Sequence, residues 1–316
     1  MSNTTVENVY IRQEAKELAS KHRRALIGMF AIYYAISFGI SIGGSRLLTL
    51  LTGDAAQTRL AYGIGNLVLQ LISMLVTSGL MLGITCSAIG IARGAEHVRA
   101  SDIFSRMSAC FKAFRLSLWV GLKTCLWALP SLALIWLLAV IASAAPDSEF
   151  AMTLLTILPF VLIIVMCALM IPAMYRYAMS TFILADEPET FVTECVQRSK
   201  AMMKGRKWQF FKLPIPIVLA VFGLYIALTI AVSLFIALFP NSSAAVLSLF
   251  LLYGGLIAIL CIFMPRIVLC AALFYVKHAA DSVIADESAV NVPAAPETAD
   301  EPADTADEPA PAPDAE

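Results

Sequence analysis

Six times along the chain, at residues 25–43, 60–79, 118–142, 151–171, 214–238 and 244–264, nineteen or more residues run on with almost no charge. A bilayer core about 30 Å thick takes about 20 helical residues to cross. Hydrocarbon offers no partner for backbone polar groups, so such runs must satisfy their own as helices. The expected fold is therefore all-α, a polytopic membrane protein with six transmembrane helices. At 59% hydrophobic and 14% charged residues, the composition lies far from that of a soluble domain. A charged stretch of 24 residues precedes the first run, too long and too acidic for a signal-peptide leader, so that run is expected to remain as the first span.

The even-numbered runs are overlong. Residues 60–92, 151–185 and 244–276 stay apolar for 33 to 35 residues, about 50 Å as helix. Each is expected to break or to project beyond the membrane, with Gly79, Pro172 and Pro265 as breakers. Those three positions are 93 residues apart, as are Asp54 and Asp147 in the first two outer loops. The pattern reads as a repeat of ~93 residues, giving three tandem hairpins near 25–79, 118–172 and 214–265. Residues 1–280 would form this membrane domain, with the hairpins related about an axis along the membrane normal.

Charge sets the orientation. Residues 1–280 carry all 22 Lys and Arg against 12 carboxylates, a net of +10, whereas residues 281–316 carry 11 carboxylates and no base. The latter stretch is Ala, Pro, Asp and Glu with few large apolar residues, and is expected to be a disordered acidic tail. Twenty of the 22 bases fall on one side of the six runs and only Arg46 and Arg59 on the other. The positive-inside rule then puts both termini in the cytoplasm.

Three basic amphipathic segments precede the outward spans, and each is expected to lie in the membrane interface. In residues 5–24, Ile11, Ala15, Leu18 and His22 share a stripe. Around 101–115, Ser101 is expected to cap a helix whose face is Ile103, Met107, Cys110, Phe111 and Phe114. In the third, Asp186 and Glu189 are expected to form a capping box around Pro188, ahead of a face of Phe191, Val192, Cys195, Met202 and Met203. Arg198, Lys200, Lys204, Arg206 and Lys207 crowd this helix beside Trp208 and are the expected contacts to anionic lipid. Within the second span Asn66, Gln70, Ser73 and Thr77 lie within about 60° of one another on a helix. Interhelical hydrogen bonding is the preferred reading of this stripe; a lining for a polar path is the alternative.

The segment from Pro172 to Lys212 carries more specific information. Tyr177, Asp186, Pro188, Ser199-Lys200, Met203-Lys204-Gly205, Lys207-Trp208 and Phe211 stand in the pattern of a bacterial integral-membrane family catalogued as domain of unknown function 975, which the chain resembles. The basic segment AKELASKHRRALIGMF, the pair Arg93-Gly94 and the Asp102-Ile103-Phe104 triplet are similar to features of that family too. Ala173 and Glu187 depart from it, where glycine and asparagine are usual. The resemblance implies a multi-pass protein of the bacterial plasma membrane, and it implies no activity.

Little in the chain suggests catalysis. No metal-ligand spacing, phosphate loop or nucleotide fingerprint is present. The seven cysteines follow no paired spacing and read as packing residues. His22, His97 and His278 each stand alone beside bases, and are expected at the surface. The six runs hold no carboxylate, which argues against a proton-coupled pump or an intramembrane hydrolase. No catalytic, cofactor or metal residue is assigned, and no nucleic-acid partner is expected. The reading is a non-enzymatic protein that engages anionic lipid of the cytoplasmic leaflet or another membrane protein; the alternative is a transporter using the Asn66–Thr77 stripe. The sequence does not give an oligomeric state.

Overall fold

The computed structural model describes residues 2–52, 59–127, 129–144, 149–238 and 242–290. They form α1 (Ser2–Lys21), α2 (Arg23–Phe38), α3 (Gly44–Thr52), α4 (Arg59–Ala92), α5 (Cys110–Leu126), α6 (Leu129–Ala144), α7 (Glu149–Arg176), α8 (Ser180–Asp186), α9 (Val192–Met202), α10 (Lys207–Lys212), α11 (Ile215–Leu238) and α12 (Ser242–Val290). A π-helical turn, Gly39–Gly43, joins α2 to α3, and two short 3-10 turns, Ala100–Phe104 and Met107–Ala109, lead into α5. Among the described residues there is no strand.

Among the described residues, five helical segments are long and apolar enough to cross a membrane: Arg23–Leu51, Ala61–Ala92, Phe160–Asp186, Lys207–Leu238 and Phe250–Ala279. The run at 118–142 departs from expectation, because its helix stops at Leu126 and restarts at Leu129. Pro130 explains the interruption. It has no N–H to offer the carbonyl of Leu126.

The proposed breakers do not break their helices. α4 passes through Gly79, α7 through Pro172 and α12 through Pro265. Gly79 serves packing instead: a Cβ there would sit 2.8 Å from the Cβ of Cys110. Only the second overlong run is interrupted, at Tyr177–Met179, beyond its proline. The apolar extensions project, and they meet. Leu80, Leu82, Ile84 and Ile91 of α4, Met179, Ile183 and Leu184 around α8, and Leu269, Cys270, Ala272 and Phe274 of α12 are almost wholly buried in one core. We call this packed region the head.

Elsewhere the hydrophobic residues face outward. Half of the most apolar stretch in Phe250–Ala279 is buried, against 6% of that in Lys207–Leu238. α12 is thus the central post and α11 an outer helix packed along it. Leu219, Phe222 and Ile230 of α11 are exposed, which costs nothing where hydrocarbon is the solvent.

The basic amphipathic helices also differ from expectation. The stripe of α1 is buried as drawn, with Ile11 and Ala15 at 2% and 1% exposure, but it packs on α12 and α10 rather than facing an interface. α9 likewise buries Val192, Cys195, Met202 and Met203 in the head and leaves Phe191 outside. The head needs cover for its apolar extensions, and an amphipathic face supplies it. Ser101 caps nothing: the turn opens at Arg99, whose N–H donates to the Asp102 carboxylate at 2.8 Å. α12 continues through 281–290, stretching into the expected tail, because Asp281–Val290 contains neither Gly nor Pro to stop it. The rest of the tail and the loop residues Asp54 and Asp147 lie outside the described residues. His22 and His278 are buried rather than at the surface.

Candidate functional site

The acidic turn after α8 is the hub of the head. Asp186 is the last residue of α8 and caps no following helix; α9 begins at Val192 behind Phe191. The expected capping box is therefore absent. Arg93 donates both terminal nitrogens to the Asp186 carboxylate, each at 2.6 Å, and the Tyr275 hydroxyl donates to the same group at 3.0 Å. The C-terminal ends of α4 and α8 and the side of α12 thus converge on one carboxylate. Arg93 and Asp186 are 93 residues apart.

Local structure explains why Arg93 is available. α4 ends in a Schellman motif, in which the Ala95 N–H donates to the Gly90 carbonyl at 2.9 Å and the Gly94 N–H to that of Ile91 at 3.0 Å. Gly94 adopts φ +93°, a conformation that glycine takes without Cβ strain. The Arg-Gly pair singled out in the sequence is thus a helix stop that aims an arginine.

The remaining groups of the turn are also engaged. Glu187 accepts from Arg198 at 2.9 Å, and Arg198 binds Glu194 as well, at 2.7 Å. Lys112 donates to the Pro188 carbonyl at 2.8 Å and lies 3.5 Å from Glu189. Ser199 is fully buried and donates to the Arg176 carbonyl. Gly205, with φ +80°, turns the chain from α9 into α10. Of the residues carrying the family resemblance, Asp186, Pro188, Ser199 and Gly205 thus have structural work, and Pro172 lies inside α7.

Lys200, Lys204 and Trp208 face outward, and they separate from the other expected lipid contacts. Arg198 is neutralised by its two carboxylates, and Arg206 also has a partner. Among the described residues no carboxylate lies within 4 Å of Lys200, Lys204 or Lys207. Trp208 is 65% exposed, stacks on Phe211 at 5.1 Å, and has the Lys212 ammonium 5.6 Å above its ring. Phe210 turns the other way and packs against Tyr175 and Phe274. α10 therefore has an anchored inner face and an aromatic, cationic outer face.

α1 is pinned by polar contacts as well as by its stripe. Glu7 pairs with Lys277 at 2.7 Å, and Gln209 donates to Glu7 at 2.9 Å. The Lys277 hydrogen bond holds the Glu7 carboxyl below its ordinary range. Asn8 donates to the Gln209 carbonyl at 3.1 Å. Burial keeps His22, at the junction with α2, below the usual imidazole value. Cys195 is fully buried, which pushes its thiol up to about 11 and leaves it inert.

Among the described residues, the polar stripe of the second span makes no hydrogen bond to another helix. Thr77 donates to the Ser73 carbonyl of its own helix at 2.7 Å, while Asn66 and Gln70 lie exposed on the outer face of α4. Lys123 lies over the rings of Trp119 and Tyr177 at 5.1 and 6.0 Å. Nothing local in the sequence marks Arg93 and Tyr275 as partners of Asp186. The available signal was the 93-residue spacing of Arg93 from Asp186, which equals the proposed repeat.

A family model described as "Protein of unknown function (DUF975)" matches residues 6–277. No curated protein matches the chain, and no solved structure does.

Proposed function

The chain belongs to the DUF975 family, and from that premise, which brings no activity with it, we propose a non-enzymatic role at the surface of a bacterial plasma membrane. The head lies on the cytoplasmic side, with both termini. The end of α5 together with α6 supplies a sixth span, so that the chain forms three hairpins of one ~93-residue repeat, α12 being the inner limb of the third. From the head, Lys200, Lys204 and Lys207 engage anionic phospholipid, and Trp208 anchors at headgroup depth. Through this surface the protein organises lipid around itself or around another membrane protein.

One observation carries the reading: Lys200 and Lys204 are exposed beside Trp208 with no described carboxylate to neutralise them. Each such base near an anionic leaflet is worth about 1 kcal/mol. The test is a triple variant, Lys200, Lys204 and Lys207 each →Gln, purified in mild detergent. It is expected to insert normally and to retain severalfold less phosphatidylglycerol or cardiolipin, with wild-type retention falling as salt rises. Equal retention by the two proteins at low and high salt would defeat the proposal.

A transport role is the second reading, supported by the exposure of Asn66 and Gln70 on α4. Proteoliposome flux that is lost on replacing both by Leu would favour it over the first.

A further inference from the structure

α1 and α2 meet α12 along a cleft that the lipid-contact reading does not use. Its inner part encloses about 170 Å³ and is lined by Ala19, Ser20, Arg23, Leu26, Pro265 and Arg266, among others. Ser20 and Arg266 also line an outer groove of about 530 Å³, where Arg12, Lys16 and Glu17 join them. Four cations thus face one carboxylate along a continuous depression. Among the described residues none of the four has a carboxylate within 4 Å. Arg12 uses its Nε on the Asn8 carbonyl at 3.1 Å, and Arg266 rests 5.6 Å from the Phe263 ring.

The two ends of the cleft differ in chemistry. Arg23 opens α2, the first helix of the span Arg23–Leu51. Below it the wall becomes apolar, through Leu26, Ile27 and Ile262. Ile262 is 41% exposed, so the apolar end opens toward the surface that hydrocarbon covers. A ligand that fits must carry a negative charge at one end and a hydrocarbon body at the other. The arginine fork suits phosphate oxygens in particular.

We infer that this cleft binds the phosphate head of a glycerophospholipid, held between Arg23 and Arg266, with its acyl chains leaving past Ile27 and Ile262. The inference rests on the reading that the basic end of the molecule lies at an anionic leaflet. It differs in naming one bounded site for one lipid, away from the open lysine surface of α9 and α10.

The test uses the full chain in lipid nanodiscs containing a phosphatidylglycerol analogue with a photoreactive group near the head of one acyl chain. Adducts are mapped by peptide. They are expected on residues 19–27 and 262–266, and to fall at least fivefold in the Arg23→Gln/Arg266→Gln variant. A second variant, Ser20→Trp, fills the cleft without removing a charge; it should lower the same adducts and leave those on α10 unchanged. Arg23→Lys/Arg266→Lys, which keeps the charge but loses the fork, should fall between wild type and the glutamine variant. The Lys200, Lys204 and Lys207 triple variant should leave these adducts unaltered. Adducts confined to α9–α10 would overturn the cleft and preserve the proposed lipid surface; no adducts anywhere would overturn both. Protection of the cleft by millimolar inorganic phosphate or glycerol phosphate would assign it to a soluble phosphate compound and overturn the lipid as its occupant.

Discussion

Removing the Asp186 carboxylate should loosen the head where α4, α8 and α12 meet. Asp186→Asn keeps shape and one acceptor while discarding the charge. At an effective dielectric of about 20, unit charges about 4 Å apart attract by about 4 kcal/mol. The Arg93 side chain is 49% exposed, and screening at such a half-exposed pair reduces the usable coupling to about 1–2 kcal/mol. The Tyr275 hydroxyl, which donates to the same carboxylate, adds about 1 kcal/mol because its acceptor is charged. The expected loss is thus about 2–3 kcal/mol. Cys195 and Cys270, buried at 0% and 1% exposure, report it directly, since a maleimide reaches them only when the head opens. Thiol labelling at those two peptides should accelerate about 30- to 150-fold in Asp186→Asn, a tenfold change answering to 1.4 kcal/mol. A double-mutant cycle with Arg93→Gln should return a coupling of about 1–2 kcal/mol that shrinks in high salt. Additive effects, with coupling below about 0.3 kcal/mol, would mean that the pair does not hold the head together and would refute the reasoning.

Three further outcomes are expected. In a background cleared of native cysteines, Cys at Asp54, Asp147 or Ser242 should react with an impermeant reagent on intact cells, and Cys at Glu96 or Glu189 only after permeabilisation; the reverse pattern would invert the orientation. Acid should release α1 in two stages. His22 has a depressed pKa in the fold, so its contribution is full above the ordinary value of 6.5 and declines as pH falls below it. Glu7 is depressed as well, so its contribution persists above its ordinary 4.5 and is lost as pH drops through the folded value; hydrogen exchange in α1, corrected for intrinsic rates, should show the upper stage vanish in His22→Gln. Gly83→Ala should destabilise the head by about 1–3 kcal/mol despite the better helix propensity of alanine, because a Cβ there would overlap the Ile103 carbonyl; unchanged thiol labelling of Cys195 and Cys270 in that variant would contradict the packing described.

Periodicity carried much of this fold, and its limits are physical. The Ile11–His22 stripe was legible because a helix repeats its face every 3.6 residues. The α12 surface beneath it was not, since an amphipathic pattern says that one face avoids water without saying whether lipid or protein receives it. The same ambiguity turned α9 from an expected interfacial helix into cover for the head. The overlong runs were visible by length, but a glycine or proline inside a helix is tolerated when neighbouring helices pack closely, so Gly79 and Pro265 misled. Pro130, in a run that looked continuous by hydropathy, was the proline that mattered. Asp186 invited a cap reading because capping is local, whereas its partners lie 93 and 89 residues away. The cleft between Arg23 and Arg266 had no sequence signal, as its walls come from opposite ends of the described chain.

The hub at Asp186 also bears on biosynthesis. Arg93 and Asp186 are both made before Tyr275 exists, and α1 is made before the α12 surface that receives it. A nascent chain that has emerged as far as α11 therefore holds the apolar extensions of α4 and α8, and the stripe of α1, with their principal cover missing. Hydrophobic surface left waiting in this way is what chaperones and proteases recognise. Closure of the head thus waits on α12, the last of these helices to be made. A chain truncated ahead of Phe274 would lack the α12 residues that complete the core of the head.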